Sequence, residues 1–191
     1  KVNTVGPIFN LDKLNWLNGH YIRELEPRDF AARILPFLVA DGVLPEQPSL
    51  PQLGRLNLVA ELIQTRINLL SEATPLVAPF FTDDAELPIA DDARAQLKET
   101  APQVLDAAIA ALEPISGSLG KPDGTGIEWV HERIEAALRE AVVDGLGIKP
   151  KFAFGPLRTA VSGQRISPPL FESMEILGKA NWWFPSWLSW L

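Results

Sequence analysis

Apolar residues recur at helical spacing along almost the whole chain. The clearest stripes, one in each half, are Leu56, Val59, Leu62, Ile63, Ile67 and Leu70, and Ile127, Val130, Ile134, Leu138 and Val142. Both repeat every three or four residues, the period with which an α-helix buries one face. Strand patterns are weak. The periodicity therefore predicts an all-α chain of amphipathic helices without obvious internal repeats.

Gly and Pro divide the first half of this pattern into separate helices. We expect a first helix that is capped by Asp12 and ended by Gly19. A second helix should bend at Pro36 and stop at Gly42. The prolines between positions 45 and 51 predict a rigid loop before the third helix, which carries the stripe from position 56 to 70.

The same signals set the predicted boundaries in the second half. Asp91 or Asp92 should cap a helical run that breaks near Pro102. A short helix is expected over 157–161. The last helix should cover 169–178, because its first residue is a proline, which suits a first turn, and its last is a glycine.

Composition narrows the chemistry that the chain can perform. Its 191 residues include no Cys, which excludes disulfides and thiolate metal sites and predicts a reducing, cytoplasmic setting. The two histidines, His20 and His131, lie far apart in sequence, which argues against a zinc site or a His-based triad. We expect His131 to be a plain surface residue. No apolar run approaches membrane-spanning length, so we expect no membrane partner.

Candidate catalytic motifs are weak. The segment Gly117–Lys121 resembles a phosphate loop only loosely, since its spacing is wrong and a proline follows where a helix should begin. The carboxylate pairs Asp83–Asp84 and Asp91–Asp92 stand where turns and helix caps favour Asp. We identify no catalytic, metal or cofactor site. The residues alone therefore do not decide whether the chain is part of an enzyme.

Charge is unevenly distributed along the chain. The net charge of −7 argues against a stand-alone nucleic-acid binder. Between positions 83 and 113 there are eight acidic residues and two basic ones, whereas positions 148–171 contain no acid. The bases in that second stretch are Lys149, Lys151, Arg158 and Arg165. One part of the molecule should repel phosphate and another should attract it.

Two segments near the chain ends combine basic, amide and aromatic residues with Gly or Pro turns. The first is Phe9–Arg23, and the second is Pro156–Gly163 followed by Ser167–Glu172. This composition suits holding a nucleic acid better than transforming a small molecule. In their order, spacing and helical filling, the segments resemble the region that follows the catalytic core of bacterial glutamyl-tRNA synthetases.

The resemblance implies a cage-like anticodon-binding domain built from two helical subdomains. The implied boundaries are 1–26 for a remnant of the stem-contact domain, and 27–80 and 81–179 for the subdomains. The chain departs from the family at 180–191, a Trp-rich tail where these enzymes usually continue as a basic helix. The tail could be a non-native extension, an anchor for a partner or a membrane surface, or a strap that covers the core.

Partners follow from the same resemblance. The ATP-binding signatures of class I synthetases are absent, and the chain begins at Lys1 rather than Met, so we expect a piece of a longer protein. That piece would be a monomer that recognises the anticodon of glutamate tRNA and works with the enzyme's own catalytic domain. ATP and Mg²⁺ would belong to that catalytic domain. The alternative is a helical protein-interaction scaffold with no RNA role.

Arg66 matches the family's helix arginine that reads the third anticodon base. Glutamate and glutamine anticodons differ there, C against G. The pairing edge of C offers acceptors to a guanidinium, whereas G presents donors that oppose it. A good bidentate contact of this kind discriminates by about 1–3 kcal/mol. Without the resemblance, Arg66 reads as a solvated arginine paired with Glu61 or Glu72, which is worth little.

A second group of anticodon contacts is implied near the end of the chain. Arg158 matches a family arginine close to the anticodon, and the turn made by Ser167, Pro168, Pro169 and Leu170 matches one whose backbone and apolar tip pack against splayed bases. Alternatively, the two prolines only start the last helix.

The remaining expected contacts are less specific. Phosphate contacts are expected from Lys149, Lys151 and Arg165. Contacts with the tRNA stem, or with the catalytic domain, are expected from Asn18, Tyr21 and Arg23. We expect Trp16 to belong to the core, because it lies on the same helical side as its apolar neighbours.

Overall fold

The computed structural model describes residues 10–82, 87–115 and 129–179. In these ranges the chain forms α1 (Leu11–Glu24), α2 (Pro27–Ala40), α3 (Leu50–Ile63), α4 (Ala73–Val77), α5 (Asp91–Arg94), α6 (Ala101–Leu112), α7 (His131–Leu138), α8 (Pro150–Ser162) and α9 (Leu170–Leu177). Two 3₁₀ turns, Leu70–Glu72 and Ala78–Phe80, flank α4, and a π-helical turn, Arg139–Asp144, continues α7. The described residues include no strand, so the predicted all-α class is confirmed.

Helix α1 differs from its prediction at both ends. Its N-cap is Asn10, whose side chain accepts a hydrogen bond from the backbone N–H of Lys13 at 3.0 Å, and Asp12 lies in the first turn. The helix continues through Gly19 to Glu24. Gly19 is buried, and a Cβ at this position would collide with the side chain of Asn68. The glycine therefore lies where α1 packs closely on Asn68, and it does not end the helix.

The exposed side of α1 overturns the expectation for Trp16. Its side chain is 62% exposed, and its ring stacks on His20 with centroids 6.1 Å apart and planes 4° apart. Helix α1 buries Gly19 and Ile22, while its other large apolar side chains remain exposed: Leu11, Leu14, Leu17 and Tyr21. Assigning Trp16 to the core was wrong, because α1 packs through its last two turns and on a different face.

The first half otherwise follows the predicted pattern, with one early ending. Helix α2 stops where Gly42 adopts φ 74°, and Pro36 lies inside it. A capping box between Ser49 and Gln52 begins α3. The helix ends at Ile63, and Ile67 enters the core from beyond the following turn. The apolar stripe thus runs longer than the helix that was inferred from it.

In the second half, the helical run is interrupted before Pro102, as predicted: α5 ends at Arg94 and α6 begins at Ala101, with Pro102 in its first turn, where proline is tolerated. The cap prediction was wrong, because Ala90 is the N-cap of α5 and Asp91 and Asp92 lie in its first turn. The short helix expected over 157–161 is part of the 13-residue α8, with Pro156 inside it. Helix α9 starts after Pro169 and ends at Gly178, which has φ 75°, as predicted.

His131 is more than a plain surface residue. Its Nδ1 lies 2.6 Å from Glu175 Oε2, and its backbone N–H donates to the same carboxylate at 2.9 Å. The pair ties the start of α7 to α9. Sequence spacing alone could not reveal this contact, since the partner lies 44 positions away.

One continuous apolar cluster runs from Ile22 to Leu177. Helix α2 packs on α3 and α4, α6 packs on α7 and α8, and α9 packs on α3, α7 and α8. The position of α9 brings the turn that precedes it close to the end of α3. The subdomain boundaries at 27–80 and 81–179 stay a prediction.

Several expectations fall outside the described residues: the Asp83–Asp84 pair, the Gly117–Lys121 segment and the tail at 180–191. Among the helices that are described, none is long and apolar enough to cross a membrane. The described ranges also contain no group of His, Asp and Glu side chains placed to hold a metal ion.

Candidate nucleic-acid interface

Ser167 joins two arginines that come from distant parts of the sequence. Arg66 lies in the turn after α3, and its Nη1 donates to the Ser167 carbonyl at 3.4 Å. Arg158 projects from α8, and its Nη1 donates to Ser167 Oγ and to the Pro168 carbonyl, each at 3.1 Å. The structure therefore places Arg66, Arg158 and the turn before α9 in one cluster.

The electrostatics of this pair are unusual for arginine. Arg158 is half-buried, and the pKa of its guanidinium is lowered, first by burial and then by the positive charge of Arg66, while Glu172 opposes the shift. Guanidinium stays protonated in proteins, so the lowered pKa means that the positive charge of Arg158 is destabilised by its surroundings, not that the group is neutral. The bonds to Ser167 and Pro168 are made to neutral oxygens. The arrangement favours a ligand rich in hydrogen-bond acceptors.

The turn that carries Ser167 is held by burial and by a hydrogen bond from α9. Ser167, Pro168 and Leu170 are buried, and Pro169 is partly exposed. The Ser173 hydroxyl donates to the Pro169 carbonyl at 2.5 Å, which ties the turn to the first turn of α9. Leu170 lies in the core cluster, so in this conformation its side chain supports the turn instead of forming an apolar tip.

A cleft of about 830 Å³ opens beside Arg158. One wall is the segment Ala95–Lys98, and the other is formed by α8 together with Arg165. Lys151 and Arg165 line it, as does Arg158 itself. Lys149 is exposed at the N-cap of α8 and is not among the lining residues. Two of the three expected phosphate-binding bases thus share a cleft with Arg158.

Lys98 is a cleft residue that the sequence did not suggest. Its Nζ lies 3.9 Å above the ring of Phe152, a cation–π contact between the two walls. Lys98 was overlooked because it belongs to the acidic stretch, where its neighbours in sequence point to repulsion of phosphate. An available signal was Phe152, an aromatic residue between Lys151 and Arg158 whose side chain is 40% exposed.

The alternative interpretation of Arg66 finds little support. Among the described residues, Arg66 forms no ion pair with Glu61 or Glu72. The Glu72 carboxylate instead accepts from the backbone N–H groups of Asn68 and Leu69, at 2.8 and 3.2 Å. Arg66 remains exposed beyond its contact with Ser167.

The three α1 candidates behave differently from one another. The Asn18 side-chain amide donates to the carbonyl of Asn68, so Asn18 is used within the chain. Tyr21 and Arg23 are exposed on the surface of α1.

The chain is similar to several known proteins. A family model described as an anticodon binding domain matches residues 29–182. The glutamate–tRNA ligase of Kocuria rhizophila is 50% identical over 173 residues, which cover 91% of this chain and 32% of that protein. The glutamate–tRNA ligase of Kineococcus radiotolerans is 48% identical over 180 residues, which cover 94% and 34%. The chain spans about a third of the length of these relatives.

A solved structure shows the same fold. The crystal structure of a glutamate tRNA ligase from Elizabethkingia meningosepticum, in complex with its amino acid, superposes with a TM-score of 0.68. The match covers 95% of this chain and 32% of that one, at 17% sequence identity.

Proposed function

Because this chain belongs to the anticodon-binding domain family, we propose that it reads the anticodon of a glutamate tRNA through the cluster around Ser167. The observation that carries the proposal is the convergence of Arg66 and Arg158 on this one residue. Two guanidiniums with neutral partners present more donors than the turn accepts. The unpaired bases of an anticodon loop supply the missing acceptors.

Arg66 is the residue to which we assign the third anticodon base. It is the more exposed of the two arginines, and its bond to Ser167 is long, so its remaining donors are free to turn toward a ligand. A cytosine offers two acceptors to those donors, whereas a guanine offers donors in the same place. The site should therefore prefer the glutamate anticodon over the glutamine anticodon.

The cleft beside Arg158 suits the rest of the loop. Lys98, Lys151 and Arg165 are placed to neutralise phosphates, and Phe152, whose ring already contacts Lys98, keeps part of its aromatic surface exposed for contact with a base. These local charges explain how a chain of net charge −7 can bind RNA, since the basic groups are gathered at one cleft. Phosphate contacts position the loop, while the contacts to base edges select it.

Aminoacylation itself would be performed by the remainder of a glutamate–tRNA ligase, with ATP and Mg²⁺ bound there. The exposed apolar face of α1, with Trp16 and Tyr21, is suited to docking against that part. A protein-binding role is therefore compatible with reading tRNA, because the two surfaces consist of different residues.

The proposal is tested by titrating the chain, at low salt, with two RNA hairpins that differ only in the third anticodon base, C or G. Wild type should bind the C hairpin more tightly, and Arg66→Gln should remove about 1–3 kcal/mol of that preference. Arg33→Gln is the matched control, because Arg33 is an exposed arginine paired with Asp29 at 3.0 Å on α2. Equal binding of both hairpins by wild type, or binding of neither, would refute the proposal.

A further inference from the structure

Gln64 is a buried amide in the turn that carries Arg66. The residue is only 7% exposed. Its Nε2 donates to two carbonyl oxygens, those of Ile22 at 2.8 Å and Leu25 at 2.7 Å. Both acceptors belong to the C-terminal end of α1 and its cap. The Ile22 carbonyl otherwise accepts only the long bond from the Leu25 N–H, at 3.3 Å, among the backbone bonds of the described residues. One side chain thus ties the end of α1 to the turn after α3.

A second link lies on the other side of Arg66. The Asn18 side chain donates to the Asn68 carbonyl, and the absence of a side chain at Gly19 lets Asn68 pack directly on α1. The Glu72 carboxylate accepts a hydrogen bond from the Asn68 backbone N–H at 2.8 Å, which also restrains the backbone at Asn68. The turn is therefore attached to α1 at two positions, Gln64, two residues before Arg66, and Asn68, two residues after it.

These contacts leave Arg66 with little freedom except in its own side chain. Its backbone N–H donates to the Ile63 carbonyl at 2.8 Å, which closes the turn on the end of α3. Gln64 points inward to α1, whereas Arg66 reaches outward to Ser167 at the far end of the chain. A shift of α1 would be passed directly to the guanidinium, because buried amide bonds resist rearrangement.

From this we infer that Gln64 is a positioning residue for Arg66, and that it couples the placement of α1 to discrimination at the third anticodon base. The inference rests on the proposed function, since it concerns the same base contact. Gln64 is buried, so we expect it to act without touching RNA. It acts by holding the backbone from which Arg66 projects, so its loss should blur the choice between C and G more than it weakens binding overall.

The test is Gln64→Met, which keeps an unbranched side chain of similar length but removes both donated hydrogen bonds. The measured quantity is the ratio of affinities for the C and G hairpins. We expect this ratio to fall about threefold or more in Gln64→Met. In an Arg66→Gln background the same substitution should leave the ratio unchanged, because the residue that Gln64 positions is gone.

Controls separate positioning from simple loss of stability. Ile134→Val shortens a fully buried side chain in α7 and should lower stability without changing the ratio. Asn18→Ala removes only the exposed hydrogen bond to Asn68, so we expect this variant to fold even if Gln64→Met does not. It should lower the affinity ratio by a smaller factor.

The outcomes are distinct. A wild-type preference for C that survives both Gln64→Met and Asn18→Ala, with the two affinities falling together, overturns the positioning role and leaves the anticodon proposal intact. If Gln64→Met does not fold, an unchanged ratio in Asn18→Ala has the same meaning. Absence of any preference in wild type would instead refute the anticodon proposal itself.

Discussion

Replacing Gly163 by Ala tests how the segment 87–90 is held against the end of α8. Gly163 has φ 66° and is buried, and its carbonyl accepts a hydrogen bond from the Ala90 N–H at 2.8 Å. A Cβ here would overlap the Pro88 carbonyl oxygen and lie 3.4 Å from Leu87 Cγ. The left-handed backbone costs an L-residue about 1–2 kcal/mol, and a methyl group forced into packed space costs about 1–3 kcal/mol more. We expect Gly163→Ala to lower the free energy of unfolding by about 2–5 kcal/mol.

Gly147 provides the matched control because it has the same φ, 66°, in open surroundings. No atom of the described residues lies within 4 Å of its Cβ position, so Gly147→Ala should cost only the backbone penalty of about 1–2 kcal/mol. Urea denaturation followed by circular dichroism measures both variants. Equal losses at the two positions would refute the steric part of the reasoning. They would show that the segment leading to the cleft wall at Ala95–Lys98 is not pressed against the end of α8.

Two further perturbations follow from contacts of single side chains. The hydrogen bond that the His131 imidazole donates to the Glu175 carboxylate raises the pKa of His131 above its ordinary value of 6.5. The stabilisation is therefore complete below that ordinary value and is lost as pH rises through the raised pKa. Because the His131 side chain is 39% exposed, we expect the pair to contribute less than about 1 kcal/mol to the free energy of unfolding. Urea unfolding of wild type and His131→Gln at about pH 5.5 and about pH 8 measures this contribution. A stability difference in favour of wild type that grows with pH would contradict the expected sign. Arg158→Lys keeps the charge but removes the guanidinium, whose Nη1 donates to both Ser167 Oγ and the Pro168 carbonyl. We expect about tenfold weaker hairpin binding with little change in unfolding, so undiminished affinity would argue against a geometric role for the guanidinium.

Local pattern was enough for the helical class and for several boundaries. Apolar period and the Gly and Pro signals act within a few residues of one another, and they placed the helix ends correctly at Gly42 and Gly178. Pro169 marked the start of α9 to within one residue, although it is the N-cap rather than a residue of the first turn. The resemblance to glutamyl-tRNA synthetases added the names Arg66 and Arg158, and their roles remain predictions.

Errors arose where a local signal has two structural meanings. Gly19 looked like the end of a helix, yet it is the point where α1 packs closely on Asn68. Trp16 looked like a core residue because its neighbours are apolar, but which face of α1 is buried depends on what the helix packs against. Neither choice can be made from the helix alone.

By itself, the sequence determined that this chain folds as amphipathic helices, where many of them begin and end, and where its basic residues are concentrated. Only the tertiary structure decided that Arg66 meets Ser167 across 101 positions, that Lys98 leaves an acidic stretch to face Phe152, and that Gln64 ties the Arg66 turn to α1. The physical reason is range. Helical period and turn chemistry are short-range properties of the chain, whereas a binding site is assembled by the packing of helices that are far apart in sequence.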